Sequence, residues 1–162
     1  MKTYIKTLLI VLCLTISGCA CFGGQQRVIP PMATGDITVK QLLSTYHTFN
    51  EEYEMFTLSN KDADLVKSWP KNMRVEVFFG TWCHDSEREV PRLLKAMNDD
   101  VAIKLIALDY EKTEPLGRAV EAEIQFTPTF LIFLDNKLIG KIVERPSVSL
   151  VEDINILIKK EA

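Results

Sequence analysis

No stretch of this chain is apolar for long enough to span a bilayer. The longest such run, Leu8 to Ile16, falls well short of the ~20 residues a crossing helix needs. Basic clusters are missing too. Nineteen Lys and Arg stand against 22 Asp and Glu, a net charge of −3, and no basic patch carries interleaved aromatics. Nucleic acid is therefore not expected as a partner. Histidine is limited to His47 and His84, which are far apart. There is no internal repeat. Cysteine is thinly spread: Cys13 lies in the apolar run, Cys19 and Cys21 follow it closely, and Cys83 stands alone in the remainder. One thiol cannot close a structural disulfide within a domain.

What is present at the start reads as a processing signal. Lys2 and Lys6 flank a short positive region, the apolar run follows, and Ile16-Ser17-Gly18-Cys19 closes it. This resembles a bacterial lipobox, in which the cysteine becomes the lipidated first residue after cleavage; the alternative is an ordinary secretory signal cut near Ala20. Two or more acyl chains, each CH₂ contributing about 0.8 kcal/mol, would anchor the protein stably to a membrane. The expectation is residues 1–18 as signal peptide, 19–36 as lipid-anchored tether and 37–162 as one folded domain. The location is the bacterial cell envelope, facing the periplasm or exterior, and Ala20 after the lipid cysteine favours the outer membrane by analogy. Cys21 is either a bystander beside the anchor or a distant resolving thiol. About 140 residues remain, enough for one domain with a substantial core.

Along that domain, Thr38-Val39-Lys40-Gln41 forms a possible capping box, followed at helical spacing by Leu42, Tyr46, Phe49 and Tyr53. Met55 to Leu58 reads as a short strand and Asp62 to Trp69 as a short helix ended by Pro70. Arg74 to Phe79 is a buried strand. Val90, Leu93, Leu94 and Met97 then mark an amphipathic helix. Val101 to Leu108 is a strand. Pro115 to Ile124 is a helix with Leu116, Val120 and Ile124 on one face. Phe130–Leu134 and Leu138–Val143 flank Asp135-Asn136-Lys137, a hairpin signal. Ser147 or Ser149 caps a last helix bearing Leu150, Ile154, Leu157 and Ile158. This order implies an α/β fold, a mixed sheet with helices on both faces.

Between the buried strand and the amphipathic helix stands Trp82-Cys83-His84-Asp85-Ser86. Cys83 thus falls at a helix N-terminus, where free N–H groups and the macrodipole favour a negative charge. The thiolate is the reactive form of cysteine. Pro91 follows eight residues after Cys83, and Thr127-Pro128 opens a strand about 45 residues after it. Together these resemble the thioredoxin superfamily: strand, W-C-x-x-C, a helix kinked by proline, and a cis-proline preceding a strand. The resemblance spans roughly residues 55 to 160. It implies the thioredoxin-like mixed β-sheet flanked by helices on both faces, a cis Thr127–Pro128 bond, and a substrate edge at Trp82, Thr127 and Pro128.

The departures are equally specific. Ser86 stands where the family has its second cysteine. Val77 occupies the place of a buried aspartate that serves that thiol. Cys83, as nucleophile, cannot close a disulfide inside the motif. A mixed disulfide formed on it must be resolved by a thiol from elsewhere, such as a small thiol or a partner's cysteine. A sulfenic acid on Cys83 is a related option. A protonated His84, and Arg88, favour the thiolate, whereas Asp85, Glu87 and Glu89 oppose it. Ser86 either hydrogen-bonds the thiolate from the same helix face or is a helix-start residue without redox role. No cofactor is expected. Cys83, His84 and Asp85 in succession point in different directions and do not make a metal site. The expected activity is monothiol thiol–disulfide exchange with cysteine-containing proteins or small thiols. The rival is a binding module that keeps the fold without turnover.

Overall fold

The computed structural model describes residues 30–97 and 101–161. The signal segment, Cys13, Cys19, Cys21 and most of the tether lie outside them. Five strands form one sheet in the order β1-β3-β2-β4-β5: β1 (Gly35–Ile37), β2 (Met73–Phe79), β3 (Ala102–Ala107), β4 (Thr129–Leu134) and β5 (Lys137–Val143). β2 and β3 run parallel; every other pairing is antiparallel. The helices are α1 (Val39–Thr45), α2 (His47–Met55), α3 (Asn60–Lys67), α4 (His84–Ala96), α5 (Arg118–Glu121) and α6 (Leu150–Glu161).

Strand alternation splits the core in two. Val75, Val77 and Phe79 of β2, with Leu105, Phe130 and Ile132, face one side. There they meet Leu42, Phe49, Val66, Val90, Leu93 and Ile154 from α1, α2, α3, α4 and α6. Phe78, Ile106 and Leu131 face the other side, where Ala119 of α5, Leu108 and Ile124 cover them. Beyond that cover, Arg74 ion-pairs with Glu76 and lies 3.9 Å over the Phe133 ring. The sheet is flanked on both faces, but very unequally.

Local chemistry explains most element ends. Thr38 and Gln41 complete the capping box of α1; such a cap contributes about 1 kcal/mol. Ser149, rather than Ser147, caps α6 by accepting from the Glu152 N–H at 3.1 Å. Asp135 and Asn136 both take positive φ, 49° and 63°, the conformation a tight hairpin turn requires.

Four expectations need correction. The helix expected through Leu42, Tyr46, Phe49 and Tyr53 is two helices, because Tyr46 is extended and its hydroxyl donates to the Pro31 carbonyl at 2.8 Å. Met55 to Leu58 is not a strand. α2 runs through Met55, and the Phe56 N–H still bonds the Glu52 carbonyl. The helix expected over Pro115 to Ile124 shrinks to α5. The Glu114 carboxylate captures the Leu116 and Arg118 N–H groups, Gly117 adopts φ 71°, and Leu116 and Val120 stay exposed. Finally, Gly35 and Asp36 belong to β1, inside the segment read as tether, and pair with Ala107 and Ile106.

Candidate active site

β2 ends in the tight loop Gly80-Thr81-Trp82-Cys83, and α4 begins directly after it. The Cys83 N–H closes the turn on the Gly80 carbonyl at 3.1 Å, and the Cys83 carbonyl accepts the Glu87 N–H at 2.9 Å as the N-cap of α4. Gly80 is required here: a Cβ on it would lie 2.6 Å from Trp82 Cε2. The Trp82 indole N–H donates to the Leu108 carbonyl at 3.0 Å, and its ring meets Tyr110 with centroids 4.7 Å apart. Thr81 is buried, and its Oγ1 accepts the Ala33 N–H at 3.1 Å. The N-terminal segment is thereby pinned to the loop that presents the thiol.

Cys83 is a free, half-buried thiol. Its Sγ donates to the Thr127 carbonyl at 3.1 Å, and the Thr127–Pro128 bond is cis. The sulfur therefore sits at the tip of α4 against the prolyl loop. That loop is held from behind, because the Pro128 carbonyl accepts the Glu144 N–H at 2.7 Å and Thr129 Oγ1 donates to the Phe126 carbonyl.

The remaining expected site residues are less close-knit. Ser86 is fully buried, and its Oγ accepts the Gly80 N–H at 3.3 Å, which places it behind the Gly80–Cys83 loop as a brace. The His84 side chain is 93% exposed and lies 3.3 Å from Glu87. Pro91 is buried within α4. Among the described residues, no three His, Cys, Asp or Glu side chains are placed to hold a metal ion.

Two features were not legible in the sequence. Tyr110 on the Trp82 ring is one. The other is an ion cluster at the first turn of α4: Asp85 Oδ1 is reached by Arg88 Nη2 at 2.9 Å and by Arg145 Nη2 at 3.0 Å. Burial works to raise the Asp85 pKa, but hydrogen bonds from Arg145 and Arg88, and their charges, outweigh it and hold the carboxyl below its ordinary value. Arg145 lies sixty residues along the chain from Asp85, so no local pattern could have paired them.

A thioredoxin family model matches residues 38–153, and the chain belongs to the thioredoxin family. The match takes in α1 and α2 as well as the Trp82–Ser86 motif and the cis-prolyl loop. Mitochondrial thioredoxin-3 of Saccharomyces cerevisiae is 29% identical over 66 residues, covering 41% of this chain and 50% of the yeast protein. The chain thus spans half the length of that curated relative. Two solved structures share the fold: a protein of unknown function from Pseudomonas aeruginosa (TM-score 0.56, 18% identity, 78% of this chain and 87% of that one) and an HIV epitope scaffold (TM-score 0.55, 17% identity, 78% and 88%).

Proposed function

We propose that this chain is a lipid-anchored thioredoxin-like protein of the bacterial cell envelope that performs monothiol thiol–disulfide exchange through Cys83. The observation that carries the reading is the half-buried Cys83 sulfur at the N-cap of α4, 3.1 Å from the Thr127 carbonyl. The helix N-terminus turns its free N–H groups and the positive end of its macrodipole toward that position. The Cys83 thiolate attacks one sulfur of a partner disulfide. A Cys83–partner disulfide forms, and the other partner sulfur leaves as a thiolate. Ser86 carries no thiol to reverse this, so a small thiol or a second partner cysteine must attack the mixed disulfide and release Cys83. A second partner cysteine that does so reshuffles the partner's disulfides with no net transfer of electrons. A small thiol that does so is left in a disulfide with the partner, and a second equivalent of that thiol, leaving as the small thiol's own disulfide, completes the passage of two electrons to the partner. Trp82, Thr127 and Pro128 form the surface the partner meets. His84, exposed beside the thiol, contributes charge when protonated. Support for the anchor is the lipobox-like Ile16-Ser17-Gly18-Cys19.

The test is isolation from intact cells under acid quench, with non-reducing electrophoresis beside Cys83→Ala. Adducts that disappear in Cys83→Ala and on reduction are expected. A free thiol with no adducts, and wild-type behaviour of Cys83→Ala, sinks the exchange reading. A second reading, a binding module without turnover, draws on Ser86 sealed behind the loop and Val77 buried where an acid would serve a second thiol; that outcome would favour it.

A further inference from the structure

Cys83 and its prolyl loop are brought together by two elements, the first turn of α4 and the turn that follows β5. One pair of residues ties both. Glu144 adopts φ 58°, a conformation that side-chain-bearing residues adopt rarely and at some cost. In it, the Glu144 N–H holds the Pro128 carbonyl at 2.7 Å, and Arg145 is turned over α4. There Arg145 Nε donates to Asp85 Oδ1 at 3.1 Å and Nη2 lies 3.0 Å from the same oxygen. Asp85 is two residues from Cys83, and an uncompensated carboxylate so near a thiol opposes its ionisation. The other charged groups around the thiol pull both ways. Arg88 shares Asp85 and also pairs with Glu89 at 2.6 Å. His84 and Thr48 meet Glu87, and Lys112 sits 6.0 Å over Trp82. Arg88 is thus divided between two acids, whereas Arg145, among the described residues, is paired with Asp85 alone.

We propose that Arg145 is a positioning residue for Cys83: it neutralises Asp85 at the start of α4 and, through the Glu144–Arg145 turn, holds the prolyl loop against the sulfur. This rests on Cys83 being the reactive thiol. Two distinct contributions follow. The charge contribution requires Asp85, because Arg145 acts by cancelling it. The backbone bond from Glu144 to Pro128 does not depend on the Arg145 side chain, so side-chain variants of Arg145 read the charge contribution alone. Arg145 is 68% exposed on its side chain, so its removal costs little packing, and surface substitutions of this kind leave folds intact.

The experiment uses the full-length protein with Arg145→Ala, Arg145→Lys, Asp85→Asn and the double variant Arg145→Ala/Asp85→Asn. Alkylation rate of Cys83 is followed across pH, with a thermal melt of each variant as folding control. Arg145→Ala is expected to move the alkylation profile to higher pH and slow the reaction at neutral pH by about threefold to tenfold, up to one unit of displacement. Arg145→Lys, which keeps the charge, is expected to retain most of the rate. Asp85→Asn in the Arg145→Ala background is expected to restore it, because the opposing charge is gone; the four rates form a double-mutant cycle. An unchanged profile in folded Arg145→Ala, or no rescue by Asp85→Asn, overturns the proposal. Adduct trapping in cells reads the exchange reaction separately. Wild-type adducts with an unmoved profile defeat this inference and leave the exchange reading standing, whereas a moved profile without adducts does the reverse.

Discussion

On one face of the sheet, α1, α2, α3, α4 and α6 close over Val75, Val77, Phe79, Phe130 and Ile132. On the other, a single turn of helix, α5, with Leu108 and Ile124 beside it, covers Phe78, Ile106 and Leu131. The thiol arrives from the first face, at the head of α4. The carbonyl it meets arrives from the second, on the connection that carries α5 into β4. The site is therefore a seam between a deep core and a shallow one. A deep core holds α4 rigid, and apolar burial there supplies most of the driving force. A shallow one leaves the prolyl loop dependent on a few specific bonds: Glu144 to Pro128, Thr129 to Phe126, and Cys83 to Thr127.

The largest effects separate the two faces directly. Phe49 is fully buried in the deep core and packs edge-on against Tyr46 and Phe79, with centroids 6.2 and 5.8 Å away. Phe49→Ala is expected to cost about 3–5 kcal/mol in chemical denaturation, by lost burial and an unfilled cavity. Ile124 is 9% exposed in the shallow core, so Ile124→Ala is expected near the low end for such truncations, about 2 kcal/mol. It is also expected to speed alkylation of Cys83, because the segment leading to Thr127 loosens while α4 does not. Equal losses for the two variants, with no change in thiol reactivity, would erase the distinction between the faces.

A smaller effect comes from acid. The Glu114 side chain is sealed from solvent beside α5. Burial works to raise its pKa, but the Leu116 N–H, the Arg118 side chain and N–H, and the Arg118 charge hold it below the ordinary value. Asp85 at the seam is lowered as well. A carboxylate whose folded-state pKa is depressed contributes stability that is present above its unfolded value and lost as pH falls through the folded one. Stability should thus be flat through neutral pH and decline once acidity passes below about pH 4. Hydrogen exchange in that window should rise first along residues 109–124, before α4 and α6. Simultaneous opening of both faces would show that the shallow one is not the weaker.

Much of this was legible from local pattern. Thr38 and Gln41 signal a cap, Asp135-Asn136 a tight turn, and Cys83, Pro91 and Thr127-Pro128 carry their spacing openly. What stayed hidden depends on distance or on one residue overriding a period. β1 is three residues of low hydrophobicity that pair with a strand about seventy positions away. Leu116 and Val120 keep helical spacing, yet Gly117 and the Glu114 carboxylate delay the helix start to Arg118, and both side chains are exposed. Ser86 was readable as a replacement for a second thiol, but its bond to Gly80 was not. Arg145 had no sequence signal at all.

The finest probe of the seam is Ser86→Cys. Ser86 fills a sealed space behind the loop, and sulfur is only modestly larger than the hydroxyl oxygen it would replace. Stability should therefore change by about 1 kcal/mol or less, chiefly through the weaker bond to the Gly80 N–H. Chemically the change is larger. A thiol three residues after Cys83, on the same side of the helix, can attack a mixed disulfide and expel the partner, closing an internal disulfide with Cys83. Thiol counting under oxidation should then fall by two, and trapped adducts should become scarce. Release should nonetheless be slow. Val77, fully buried among apolar side chains, supplies no base, and burial in such surroundings keeps a thiol protonated. Adding an acid at Val77 would cost stability in the deep core before it helped the chemistry, since an unpaired carboxylate there is strongly disfavoured. If Ser86→Cys leaves adducts as abundant as before, with both thiols free under oxidation, then the space behind the loop is out of reach of the sulfur in front of it.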